Sequence, residues 1–195
     1  MTRRAGLDRA AVIEEAVKMI DEEGLEQLAL GRLAERLGVR VPSLYNHIAG
    51  LPGLRRDLAV YCLRELLGDL TRSVMGKARA EAIFALAHAF RDYARRVPGR
   101  YALTLQAPAP DDQEWQELGR QSVGVAIAVL APYGLGEETT IHAIRSLRSI
   151  VQGFISLEMA GGFAIAIEPD VTFDWLVRLY VDGLERMVSD AQIGS

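Results

Sequence analysis

Between Arg40 and His47 the chain sets out a guanidinium, a hydroxyl, a phenol, a carboxamide and an imidazole in close succession: Arg40, Ser43, Tyr45, Asn46 and His47. That mixture suits recognition of a nucleic acid better than bond-making chemistry. An Asn carboxamide matches an adenine edge in the major groove, while hydroxyl, phenol and guanidinium groups bond phosphate oxygens. The charge pattern points the same way. From Gln27 to Arg64 the basic residues are Arg32, Arg36, Arg40, Arg55, Arg56 and Arg64, against only Glu35 and Asp57, although the whole chain carries a net charge of −4. Thr2, Arg3 and Arg4 add a short basic tail. A basic patch on an acidic chain is the electrostatic footprint of a phosphate-contacting surface. The candidate DNA contacts are therefore Arg32, Arg40, Ser43, Tyr45, Asn46 and His47.

These side chains need a scaffold, and the flanking residues supply one. Leu30, Leu33, Ala34 and Leu37 recur at helical spacing, and Gly38 follows where a left-handed residue ends a helix. Pro42 suits a first helical position, and Leu44 and Ile48, four apart, face inward. The pattern is a helix-turn-helix over about residues 29–48. Such corners occur in helical bundles that bind nothing, so the charge excess is what favours DNA. Ahead of the motif, Asp8 is placed to cap a helix ending at Glu23, with Leu7 and Val12 as its hydrophobic staple.

The rest of the chain reads as helix. A long segment runs from about Pro52 to Val74, followed by Ala80–Val97, Asp111–Leu130, Glu137–Ala160 and a last helix from Phe173 to about Ser189 capped by Thr172. Pro108 and Pro110 break the stretch between the second and third of these, and Phe163–Ile167 reads as loop. The expectation is an all-α protein of about nine helices: a DNA-binding domain over 1–52, and a helical ligand-binding and dimerisation domain over 53–195. Half the residues are hydrophobic, enough to bury a core in one or two domains. The single cysteine, Cys62, excludes an internal disulfide and fits a buried thiol in a reducing cytoplasm. The longest apolar region, Ile141 to Ile167, is interrupted by Arg145, Arg148 and Glu158, which argues against a membrane span.

Catalysis finds little support. The histidines are His47, His88 and His142, none at metal-ligand spacing with another His or Cys, and there is no phosphate loop or nucleophile elbow. In the C-terminal part, His142, Arg145, Ser149, Gln152 and Ser156 form a polar stripe that either pairs across a dimer interface or lines a cavity, the structural reading being the commoner one. Phe84, His88, Trp115, Arg145, Gln152 and Trp175 are the candidates to line a site for an apolar small molecule, although buried aromatics more often form core.

The chain resembles the TetR family of transcriptional regulators along its full length. The N-terminal resemblance is carried by Ala16, Gly24-Leu25, Leu33-Ala34-Glu35, Leu37-Gly38-Val39, Pro42-Ser43-Leu44-Tyr45-Asn46-His47 and Leu54. In the C-terminal part, Tyr101-Ala102-Leu103, Pro108, Pro110, Gln152 to Glu158 and Gly161-Gly162-Phe163 resemble the subgroup named for a Trp-His-Gly signature. The resemblance implies a cytoplasmic homodimer paired through its last two helices, with a ligand cavity in each C-terminal domain and no cofactor. It would be a repressor that binds a palindromic operator in double-stranded DNA and is released by a small molecule, and not an enzyme. The alternative is a helical protein-interaction module whose helix-turn-helix no longer binds DNA. Departures from the family pattern are Gly31, where a DNA-contacting residue is common, Ala29 and Val41 at expected N-cap positions, Leu51 in place of a phosphate-gripping Lys, and Gln152 in place of the signature His.

Overall fold

In a computed structural model that describes residues 7–193, nine α-helices follow one another and no strand occurs among the described residues. They are α1 Arg9–Glu23, α2 Leu30–Leu37, α3 Val41–Leu44, α4 Gly50–Val74, α5 Arg79–Arg96, α6 Pro98–Thr104, α7 Gln113–Leu130, α8 Glu137–Met159 and α9 Pro169–Ile193, with single 3-10 turns at Leu25–Gln27 and Ala131–Tyr133. The basic tail at Thr2, Arg3 and Arg4 lies outside the described residues.

Local chemistry explains most of the boundaries. Asp8 caps α1, its carboxylate accepting from the Ala11 N–H at 2.8 Å. Gly38 ends α2 at φ +66°, and the Gly38 and Val39 amides donate back to Glu35 and Ala34. The N-cap of α3 is Arg40, one residue before the expected Val41, because Pro42 at the second helical position has no N–H to leave unsatisfied. The last helix begins at Pro169, so Thr172 lies inside its first turn and does not cap it. The stretch after Pro98 forms α6, and Phe163–Ile167 is non-helical as its flanking Gly and Pro imply.

Two compact units result. The first comprises Met1–Glu65 together with Val97–Trp115, the second Leu66–Arg96 together with Gln116–Ser195. This grouping differs from an expected cut near residue 52: α4 contributes to both units, and the first unit recruits α6 and the segment up to Trp115. In the first unit Val12, Ala16, Met19, Ile20, Leu33, Leu44, Leu54 and Leu58 form the core. Gly99 brings α6 against α1, since a Cβ there would sit 2.6 Å from Ile20 Cγ2. Arg100 then pairs with Asp21 on α1 and with Glu65 on α4 at 3.0 Å. In the second unit α5, α8 and α9 pack on one another through Ile83, Leu86, Val151, Phe154, Ile155, Phe173 and Val177. Cys62 is buried on α4, as its helical pattern implies. No described helix is long and apolar enough to cross a membrane.

Candidate nucleic-acid interface and effector cluster

Leu44 and Ile48 are buried and fasten the recognition segment to the first unit's core. The regular α-helix is only Val41–Leu44, but the His47 and Ile48 amides both donate to Leu44 O, at 2.9 and 3.0 Å, so the chain keeps a helical course through the residues that matter. With the apolar side chains turned inward, Tyr45 (58% exposed) and Asn46 point out, and Ser43 and His47 are half-buried. The Tyr45 ring lies beside Gly50 at the start of α4. Arg40 is exposed just ahead of the segment. The arrangement offers a carboxamide, a phenol, an imidazole and a guanidinium to one partner, and the groups themselves match base edges and phosphates.

Ion pairing thins the basic patch that the sequence suggests. Arg36 donates to Glu15, Glu22 and Glu23 at 2.7 to 2.8 Å, which ties α2 to α1 and raises its own pKa. Arg32 pairs with Glu23 and donates to Gln27 Oε1 at 2.9 Å. Of the candidate contacts, Arg32 is thus already committed to protein partners, whereas Arg40 has no carboxylate within ion-pair distance among the described residues. Further along, Arg56 holds Asp112 through two 2.6 Å hydrogen bonds and also reaches Glu114, and Arg9 pairs with the buried Asp57. The Arg56 bonds, helped by the Trp115 N–H, hold the Asp112 carboxyl down at about 2. These arginines brace the first unit, a role that a count of charges along the chain does not reveal.

The second unit builds a different cluster. Arg91 on α5 is 2% exposed; its Nε and Nη2 donate to Glu158 at 3.0 and 2.6 Å, and Nη2 donates to Asp170 at 2.7 Å. Its guanidinium lies over the rings of Phe154 (5.1 Å) and Phe173 (4.8 Å). One buried cation therefore clamps the end of α8 and the start of α9 to α5. Around it, Phe173 meets the edge of His88 at 5.2 Å, His88 stacks on Phe84 at 6.5 Å, and Phe163 tilts against Phe154 at 4.8 Å. His88 Nε2 lies 2.7 Å from Asp174 Oδ1.

Of the six candidate effector residues, the second unit brings Phe84 and His88 together. Phe84 and His88 belong to this cluster, half-buried. Trp115 is buried in the first unit, where Asp112 accepts from its N–H at 3.1 Å. Trp175 is 62% exposed, Arg145 is exposed, and Gln152 is half-buried, because α8 turns Ala143, Leu147, Val151, Phe154 and Ile155 inward. The sequence reading missed Arg91, whose signal was its helical spacing from the buried Ala87 and Ala94. His142, Arg145, Ser149 and Ser156 are all exposed along α8, beside an α9 that exposes Val171, Trp175, Leu179 and Met187. Leu184, in contrast, is buried in the second unit and is no part of that face. Among the described residues no group of His, Cys, Asp and Glu is placed to hold a metal.

Comparison with known proteins places this architecture. Residues 83–180 match the family described as "Tetracyclin repressor-like, C-terminal domain". The uncharacterized HTH-type transcriptional regulator Rv0681 of Mycobacterium tuberculosis is 36% identical over 187 residues, covering 95% of this chain and 85% of the relative. A protein of unknown function from Rhodococcus sp. RHA1 shares the fold with a TM-score of 0.80 at 21% identity, covering 95% and 99% of the two chains. A TetR variant from Acinetobacter baumannii AYE, crystallised in complex with minocycline, shares it with a TM-score of 0.69 at 23% identity, covering 93% and 98%.

Proposed function

Since the chain belongs to the TetR family of DNA-binding transcriptional regulators, we propose that it is a repressor that binds a palindromic operator as a homodimer and is released by an apolar small molecule. The observation that carries this reading is the recognition segment: Tyr45 and Asn46 point outward, backed by buried Leu44 and Ile48, with an uncommitted Arg40 at its leading edge. In this reading Asn46 reads a base edge, Tyr45, His47 and Ser43 contact bases or backbone, and Arg40 binds phosphate. Arg32 contributes mainly by holding α2 in place.

Dimerisation uses the exposed face of α8 and α9. Val171, Trp175 and Leu179 repeat every fourth residue along α9 and are exposed, so an apolar row winds along this part of the helix. The small residues of α8, Ser149, Gly153 and Ser156, let a partner helix approach closely. A two-fold pair of recognition segments then reads two half-sites one helical turn of DNA apart, or a multiple of it. An effector near the Phe84–His88 cluster lowers DNA affinity by the difference in its affinity for the two conformations. The minocycline bound to the Acinetobacter TetR supports a small-molecule effector.

Selection from a random DNA pool, repeated at two salt concentrations, tests the proposal. An enriched palindrome with salt-sensitive affinity is the expected result. A helical protein-interaction module, the alternative, would show neither enrichment nor a salt slope, because it has no DNA counterions to release.

A further inference from the structure

Sorting the arginines of the first unit by their partners isolates two. Arg9, Arg32, Arg36, Arg56, Arg64 and Arg100 each form an ion pair with a carboxylate. Arg40 and Arg55 have none among the described residues. For Arg55 this stands out, because Asp57 is close in sequence and Arg56 is its neighbour. Asp57 is occupied by Arg9 and Arg56, and Arg56 is turned to Asp112 and Glu114. A half-buried guanidinium with five donors and no protein anion is suited to an anion from outside the chain.

Its position says which anion. Arg55 lies one turn into α4, four residues after Leu51 and so on the same helix face. Side chains on a helix lean toward its N-terminus, so Arg55 extends back over the first turn of α4. That first turn begins at Gly50, where an added Cβ would lie 3.8 Å from Tyr45 Cε1, so the recognition segment and the start of α4 are neighbours. The two uncommitted arginines thus flank the recognition segment in the chain, Arg40 just before it and Arg55 just behind the turn that neighbours Tyr45. The positive end of the α4 dipole adds to the preference for an anion there. A duplex entered by the recognition segment presents phosphates on both walls of its groove.

We propose that Arg55 is a second phosphate-binding residue, holding the DNA backbone on the α4 side of the recognition segment as Arg40 does at its leading edge. This rests on the DNA-binding reading and adds a residue to it. The contact is sequence-independent: it tightens binding to operator and random duplex alike and leaves the preferred sequence unchanged.

The test compares the full-length wild type with Arg55→Gln, Arg55→Lys and, as a control on the same helix, Arg64→Gln, on the selected operator and on a random duplex. Arg55→Gln is expected to weaken both affinities about tenfold near 0.1 M salt and to reduce the slope of log affinity against log salt by roughly two per dimer, one for each lost phosphate contact. Arg55→Lys recovers most of the slope, Arg64→Gln leaves it unchanged, and circular dichroism melts show each variant folded. Wild-type affinity and slope in Arg55→Gln would overturn the proposal, as would a loss confined to the operator or a changed selected sequence. If the wild type itself shows no salt-sensitive DNA binding, the failure lies in the DNA-binding reading and takes the proposal with it.

Discussion

Replacing Arg91 by Met probes the most deeply buried charge among the described residues. The substitution keeps a long unbranched chain against Phe154 and Phe173 but removes three hydrogen bonds, two to Glu158 and one to Asp170. Glu158, whose side chain is only 17% exposed, would lose its guanidinium partner. Breaking a buried pair by deleting one partner costs about 3–5 kcal/mol, mostly the penalty for the abandoned charge. For a chain of this size that corresponds to roughly 10 °C in Tm. The same reasoning predicts partial rescue. In the double variant Arg91→Met with Glu158→Met both buried charges are gone, and an apolar replacement of a buried pair is close to neutral, so stability should return to within about 1–2 kcal/mol of wild type. Urea unfolding followed by circular dichroism at 222 nm, at one fixed protein concentration, gives the double-mutant cycle. If Arg91→Met unfolds within about 1 kcal/mol of wild type, or if the double variant loses the sum of the two single losses, the clamp is not the coupled unit described.

Further outcomes are expected elsewhere. Asn46→Ala and His47→Ala should each abolish operator selection while gel filtration shows the wild-type size; retained selection would remove them from the interface. Trp175→Arg should give helical, folded monomers that lose DNA affinity, and Leu184→Arg, in the core, should lose helicity instead; sedimentation and circular dichroism separate the two. Asp112→Asn should destabilise the protein at neutral pH by removing the Arg56 pair. Because Arg56 depresses the native pKa of Asp112 to about 2, below an unfolded value of about 3.9, its contribution is fully present above that unfolded value and fades as pH falls from about 4 to 2. Urea titrations across that range should show the gap between wild type and variant closing, and a constant gap would mean that the carboxylate charge is not what Asp112 supplies.

Helical periodicity, the caps at Asp8 and Gly38 and the buried pair Leu44 and Ile48 were legible in the chain because each acts over a few residues, where backbone geometry alone fixes which side chains share a face. The outward course of Tyr45 and Asn46 followed from the same local rule. What tertiary structure alone decided was the partner of each charge and the unit of each aromatic residue. Arg32, Arg36 and Arg56 read as a basic patch along the chain, yet their carboxylates come from α1 and from residues 112–114. Trp115 and Trp175 look alike in the chain, and only the fold makes one a buried residue of the first unit and the other an exposed residue of α9. Arg91 looks like an ordinary helical arginine until α8 and α9 close around it with Glu158 and Asp170. Pairings of this kind join residues far apart in sequence, and a guanidinium is free or committed only once the whole chain has chosen which carboxylates to bring to it.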